Sequence, residues 1–221
     1  MLVTCVCLVT YPKRAAFLPD VIRSFRGQTL RAKELLIIND GEPLTSNVPD
    51  IQILTVTPRT IGEKRSEAAK WARGQYLATW DDDDLSLPTR LEEQVRVLEN
   101  SGADATLYNS AWVTDADLRL VGLCDRGRRG VIHATCMIRR EKALFVGYQP
   151  SNLGEELVLL RASRCITVTG EPPYVRREHG GNVSGVYGAQ PVTEEVRARV
   201  QGAIDAIHLG PGGDDVVGSS L

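Results

Sequence analysis

The stretch "LVTCVCLVT", residues 2–10, runs nine residues without a charge and is dense in β-branched side chains. It is too short to span a membrane and lacks the polar alternation of a half-wet strand. It fits a strand covered on both faces, as in a parallel sheet with helices above and below. "KELLIIND", "DIQILTVT" and "QYLATW" repeat that character further along. Between these runs the period changes. "RAAFLPDVIRSFRGQ" sets Phe17, Leu18, Val21, Ile22 and Phe25 at helical spacing with Gly27 as a stop, and "GEKRSEAAKWARG" is closed by Gly74. After Pro88, "TRLEEQVRVLENSG" carries Leu91, Val95 and Leu98 on one face, with Thr89 as the expected N-cap and Gly102 as the C-terminal signal. Strands alternating with helices predict an α/β domain with a mostly parallel central sheet flanked by helices.

From residue 103 the order loosens. "ADATLYNSAWVT", "RLVGLC", "GVIHATCMIRRE" and "CITVTGEPPYVRRE" read as strands among loops, and "TEEVRARVQGAIDAIHL" reads as a last helix. With no internal repeat or linker in 221 residues, a single domain over 1–208 is expected, divided near residue 102. Residues 209–221, "LGPGGDDVVGSSL", are expected to form a flexible tail.

Composition narrows the partners. A net charge of −2 gives no general attraction to nucleic acid or acidic lipid. The five cysteines have no CxxC pair and no zinc-like spacing with the histidines. Four lie in apolar, strand-like runs, which predicts buried thiols in a reducing, cytoplasmic setting. The N-terminal run lacks a basic flank and a small-residue cleavage site, so a core strand is expected there and not a signal peptide. No stretch has the length of a membrane span, and a soluble protein is expected.

Three polar clusters close the strand-like runs: "TYP", "NDG" and "DDDD". In open α/β sheets, ligands bind outside the carboxyl ends of the strands. Four consecutive acids, Asp81–Asp84, repel one another. Either they form a solvated loop or a divalent cation offsets them, taking one or two carboxylates and filling its shell with phosphate oxygens and water.

Taken in order, "VTCVCLVTYPKRAAFLPDVIRSFRGQT", "ELLIINDG", "GEKRSEAAKWARGQYLATWDDDDLSLPTRLEEQ" and "HATCMIRRE" resemble family 2 glycosyltransferases of GT-A fold, over roughly residues 2–185. The resemblance implies a single GT-A, Rossmann-like domain, with residues 1–102 as the nucleotide-binding half and 103–208 as the acceptor half. It implies inverting transfer of a hexosyl or pentosyl group from a nucleotide-diphospho-sugar, with Mn2+ or Mg2+ at a DXD motif matched by Asp81, Asp82 and Asp83. By the same match Asp83 is the direct metal ligand, with Asp81 and His179 as further candidates. Asp81 or Asp82 contacts the ribose. Thr10, Tyr11 and Pro12 match the loop against the base, Asn39 and Asp40 an acidic pair of which the first acid binds the base, and Arg65 an arginine facing the nucleotide. Asn39 and Ser66 depart from the family's usual residues. Glu155 and Glu156 match the acidic pair holding the catalytic base, with Glu156 in the place of the usual Asp. Two glutamates in a first helical turn also suit the helix dipole.

His179 in "REHGGNVSG" matches a segment lying over the diphosphate. His133 is expected to be packed, and Trp71 and Trp80 to be core residues. Trp112 is expected to pack, or else to stack on a sugar or base. Arg126, Arg128, Arg129, Arg139 and Arg140 suit either a solvated face or a phosphate backbone. Candidate acceptors under this resemblance are a hydroxyl of a soluble glycan, protein or metabolite, or of a hydroxylated base in modified DNA. Two other readings remain open: a non-catalytic nucleotide-sugar binder, favoured by the substitutions at Asn39, Ser66 and Glu156, and a nucleotidyltransferase, whose Gly-rich phosphate loop is missing from "VTYPKRAAFLPD".

Overall fold

A computed structural model describes residues 1–9, 12–127, 130–181, 188–211 and 216–218. The first strand, β1 (Val3–Val9), takes the uncharged run. A 3-10 turn (Pro12–Phe17) and α1 (Leu18–Arg26) follow, then β2 (Lys33–Asn39), β3 (Leu44–Ser46), β4 (Ile51–Thr55), α2 (Ile61–Trp71), β5 (Tyr76–Thr79), β6 (Leu85–Ser86) and α3 (Arg90–Ser101). The second half contributes β7 (Ala105–Tyr108), β8 (Ser110–Thr114), β9 (Leu120–Asp125), β10 (Ile132–Arg139), α4 (Arg140–Val146) and α5 (Leu157–Arg161). Beyond these lie β11 (Cys165–Val168), β12 (Tyr174–Arg177), α6 (Glu194–His208) and β13 (Val216–Gly218).

Seven strands form the central sheet in the order β11-β7-β10-β5-β1-β2-β4. β1 pairs in parallel with β2 and β5, β2 with β4, and β11 with β7; β10 runs antiparallel between β5 and β7. The expected α/β architecture with a mostly parallel sheet is therefore present. The period of two explains its burial. Cys5, Cys7, Leu35 and Ile37 face α1 and α3, packing on Ile22, Phe25, Leu91 and Leu98. Their sequence neighbours Val6, Leu36 and Ile38 face α2, α4 and α5, on Ala68, Ala69, Ala143 and Leu159. Each such aliphatic side chain taken fully from water contributes about 1.5–3 kcal/mol.

A second sheet, β6-β12-β8-β9, packs on α6 through Leu85, Trp112, Leu120, Val175, Val200 and Ile204. Trp112 is spent in this cluster and does not reach a ligand surface, and Trp80 is core as expected. Trp71 is not: it is 56% exposed at the end of α2, its indole N–H donating to Glu67. Thr89 precedes α3 without a side-chain cap, whereas Gly102 takes the left-handed conformation that ends it. Four cysteines are buried, Cys165 is exposed, and all five are free thiols. Val216–Gly218, inside the expected tail, pairs antiparallel with β3.

Candidate active site

Parallel pairing of β1, β2 and β5 brings their carboxyl ends to one rim. The segment after β5 is anchored from below by Arg90. This buried side chain donates to the Thr79 carbonyl at 2.8 Å and the Ser86 hydroxyl at 2.8 Å, and it lies over the rings of Trp80 and Tyr174. From that anchor Asp81–Asp84 splay to different partners. Asp84 turns inward, accepting from the Arg177 backbone N–H at 2.8 Å and from the Tyr174 hydroxyl, so it fastens the second sheet to the first. Burial and the neighbouring Asp83 and Asp81 push its carboxyl well above the usual range.

Asp82 and Asp83 share a cation supplied by the chain itself. Arg14, in the 3-10 turn after β1, donates to Asp82 at 2.5 Å, to Asp83 at 2.8 Å and to the Gly181 carbonyl at 2.8 Å. The second carboxylate oxygen of Asp82 is buried and has no hydrogen-bond partner among the described residues. Burial and Asp83 push the Asp82 carboxyl up to about 7, against the pull of Arg14. His179 sets Nε2 3.0 Å from the same Asp83 oxygen, its ring against Phe17 at 4.9 Å.

Arg65, on the inner face of α2, links this acidic end to the opposite one. It lies 3.9 Å from Asp81, 3.0 Å from Glu155 and 3.9 Å from Glu156. Close packing holds that second end in place. A Cβ at Gly62 would stand 1.7 Å from the Gln149 carbonyl oxygen, so only glycine lets α2 touch the loop that leads to the glutamates. The Gly62 N–H donates to the Ser151 carbonyl at 3.0 Å, and the Ile61 N–H to the Asn152 side chain at 2.9 Å. Glu156 stands at the N-cap of α5 without a side-chain capping bond, and α5 has only five residues. Capping therefore does not explain the pair.

The two glutamates differ electrostatically. Burial raises the Glu155 carboxyl, Arg65 opposes that, and Glu156 adds to it. Burial would raise Glu156 too, but the hydrogen bond from His133 and the Arg65 charge outweigh it and bring its carboxyl down to about 2. His133 Nδ1 is the partner, on β10.

A cleft of about 490 Å3 joins these groups, with Arg14, Arg65, Asp81, Asp82 and Asp83 at one end and His133, Glu155 and Glu156 at the other. Arg126 and Arg176 also line it. Asn39 and Asp40 are not in this lining. Both ends of the buried Asn39 amide are used in the following turn, donating to the Glu42 carbonyl at 2.7 Å and accepting from the Gly41 N–H at 3.1 Å. Asp40 is paired at 3.0 Å with the fully buried Lys64. Thr10 and Tyr11 lie outside the described residues, as do Arg128, Arg129 and Asn182; Pro12 opens the 3-10 turn.

Arg14, Arg176 and His133 are among the cleft residues that escape a reading by sequence. Arg14 had a signal, a basic residue just past the first strand end, where a rim ligand would sit. His133 had none, because its strand reads as packed while its side chain is 40% exposed to the cleft.

Comparison with known proteins gives three findings. Residues 5–123 match the model of glycosyl transferase family 2. An uncharacterized glycosyltransferase of Methanocaldococcus jannaschii is 29% identical over 122 residues, which cover 50% of this chain and 42% of that protein. Among solved structures, S. aureus TarS 1–349 in complex with UDP-GlcNAc aligns with a TM-score of 0.62 at 13% identity, covering 95% of this chain and 73% of that one. The same fragment in complex with UDP aligns at 0.60 and 13% identity, over 80% of this chain and 61% of that one. The chain thus spans about two fifths of the curated relative. The structural likeness is one of fold, and it matches the expected GT-A architecture. Among the described residues no helix is long and apolar enough to cross a membrane.

Proposed function

This chain belongs to glycosyl transferase family 2, and from that membership and the chemistry of the cleft we propose that it moves a sugar from a nucleotide-diphospho-sugar to a hydroxyl acceptor with inversion. The observation that carries this reading is the single cleft with Asp81–Asp83 at one end and Glu155 and Glu156 at the other, joined by Arg65. Donor binding is assigned to residues 1–102 and acceptor binding to 103–208. The ligands of the TarS structures, UDP and UDP-GlcNAc, favour a nucleotide-sugar donor.

The acidic end fits a hard divalent cation. Its donors are carboxylate oxygens, one of them buried and unpartnered on Asp82. Among the described residues no group of three or more ligand-type side chains is arranged to hold a metal. Mg2+ and Mn2+ take one or two carboxylates and leave other positions to phosphate and water. Asp83 would hold it, with Asp81 or His179 as the further candidate, and when bound it would supply charge stabilisation to the departing diphosphate. The chain's own groups do the rest. Arg65 and Arg14 add positive charge beside that diphosphate, and the end that holds His133, Glu155 and Glu156 receives the acceptor's proton.

Release of nucleoside diphosphate from a panel of nucleotide sugars, with and without Mn2+, tests this function. Mn2+-dependent release lost in Glu156→Gln supports it. A chain that binds the donors but releases nothing with any acceptor is instead a nucleotide-sugar binder.

A further inference from the structure

The geometry points to His133, held by Glu156, as the group that takes the proton from the acceptor hydroxyl; this rests on the transferase reading above. Both glutamates already have cationic or donor partners. Glu155 is 3.0 Å from Arg65, and Glu156 accepts from His133 Nδ1 while lying 3.9 Å from Arg65. Both carboxylates are buried, whereas the imidazole is 40% exposed and lines the cleft.

The tautomer follows from elementary chemistry. A carboxylate held ionised, as Glu156 is, has no proton to give, so the Nδ1 facing it carries the hydrogen. In the neutral ring the lone pair then sits on Nε2, which has no partner among the described residues. A carboxylate that fixes the tautomer and stabilises the imidazolium makes histidine an effective base, the arrangement that serine proteases use. Glu156, depressed to about 2, is by itself a poor proton acceptor at neutral pH.

Local structure supports the placement. β10 loses register with β7 between Ile132 and Met137, the span that contains His133. Thr135 stitches this irregularity, its hydroxyl donating to the Ile132 carbonyl at 2.5 Å and accepting from the Tyr108 N–H at 2.8 Å. Such bulges re-aim side chains and recur beside active sites.

In the transfer step the acceptor O–H bond breaks and its proton goes to Nε2. The oxygen bonds the anomeric carbon, and the anomeric carbon–oxygen bond to phosphate breaks, its electron pair leaving with the nucleoside diphosphate. The imidazolium beside Glu156 returns its proton to solvent.

Two measurements test the assignment. His133→Ala should lose on the order of 10²–10⁴-fold in the rate of UDP release from UDP-GlcNAc with Mn2+. Its UDP affinity should be unchanged, and added imidazole should restore part of the rate. No rescue, or a rate within threefold of the parent, overturns the proposal. Nitrogen NMR of histidine-labelled parent protein, with His133→Gln to assign the signal, should show Nε2 unprotonated and Nδ1 protonated; the opposite tautomer also overturns it. This second measurement needs no turnover. A parent that releases no nucleotide therefore counts against the transferase reading, while the tautomer still decides the dyad.

Discussion

Arg14 and Asp83 are 69 positions apart in the chain and 2.8 Å apart in the fold, and the same guanidinium reaches Asp82 at 2.5 Å. The cluster of acids at the rim is therefore held by a counter-charge from the neighbouring strand's exit. Two unit charges at 4 Å interact by roughly 4 kcal/mol at an effective dielectric of 20, so one cation there matters.

Removing that counter-charge should open the acids to an external cation. Arg14→Ala is expected to bind Mn2+ alone about tenfold or more tightly than the parent, with Arg14→Lys between them. Titration of free Mn2+ by electron paramagnetic resonance reads this directly. Equal affinities would mean that Arg14 does not occupy the cation's place.

Asp83→Ala should have the opposite effect. Its carboxylate faces both Arg14 and His179, and as the proposed metal ligand it should carry the Mn2+-dependent tightening of nucleoside-diphosphate binding. Calorimetry with UDP is expected to show that tightening lost while the circular dichroism stays that of the parent. Unchanged Mn2+-dependent affinity would remove Asp83 from the metal site.

Gly62→Ala should damage the site from outside it. The new methyl would meet the Gln149 backbone at 1.7 Å, which cannot be relieved by turning a side chain. Either α2 or the 149–155 loop must shift, carrying Arg65 away from Glu155. Expected are a loss of roughly 1–3 kcal/mol in denaturant unfolding and a fall in turnover larger than the change in nucleotide affinity. A variant matching the parent in both would show that the loop is not set by this contact.

The acid limb of stability should carry the mark of Glu156. Its folded pKa, about 2, lies below the unfolded value for glutamate, about 4.3. The stabilisation is therefore present above the unfolded value and is lost as pH falls through the folded one. In urea unfolding, the parent's advantage over Glu156→Gln should be present at pH 5 and shrink between about pH 4 and 2. A pH-independent difference would show that Glu156 is not held ionised by His133 and Arg65.

Much of the frame was legible because it is written in local periods. The uncharged run of β1 and its echoes in β2 and β5 have the residue pattern of strands buried on both faces, and both faces are covered. Gly102 ends α3 as its position suggested. The acids were placed at a strand exit by counting alone. Trp71 was expected in the core, but it is the last residue of α2 and is exposed.

Sequence by itself determined the main alternation of strands and helices through α3, the mostly parallel α/β class, and the position of Asp81–Asp84 at a strand exit; it put Glu155 and Glu156 in a first helical turn, whereas α5 begins after them. These rest on side-chain period and backbone preference, which act over a few residues. Tertiary structure alone decided who neutralises whom: Arg14 on Asp82 and Asp83, Arg65 between the two acidic ends, Lys64 on Asp40, and His133 on Glu156. Those pairings join residues 23 to 91 positions apart, apart from the contact of Arg65 with Asp81, 16 positions on. Hydrogen bonds need their partners about 3 Å apart and screened Coulomb attraction fades over about 10 Å, so no spacing along the chain announces them before the sheet has brought its strand ends to one rim.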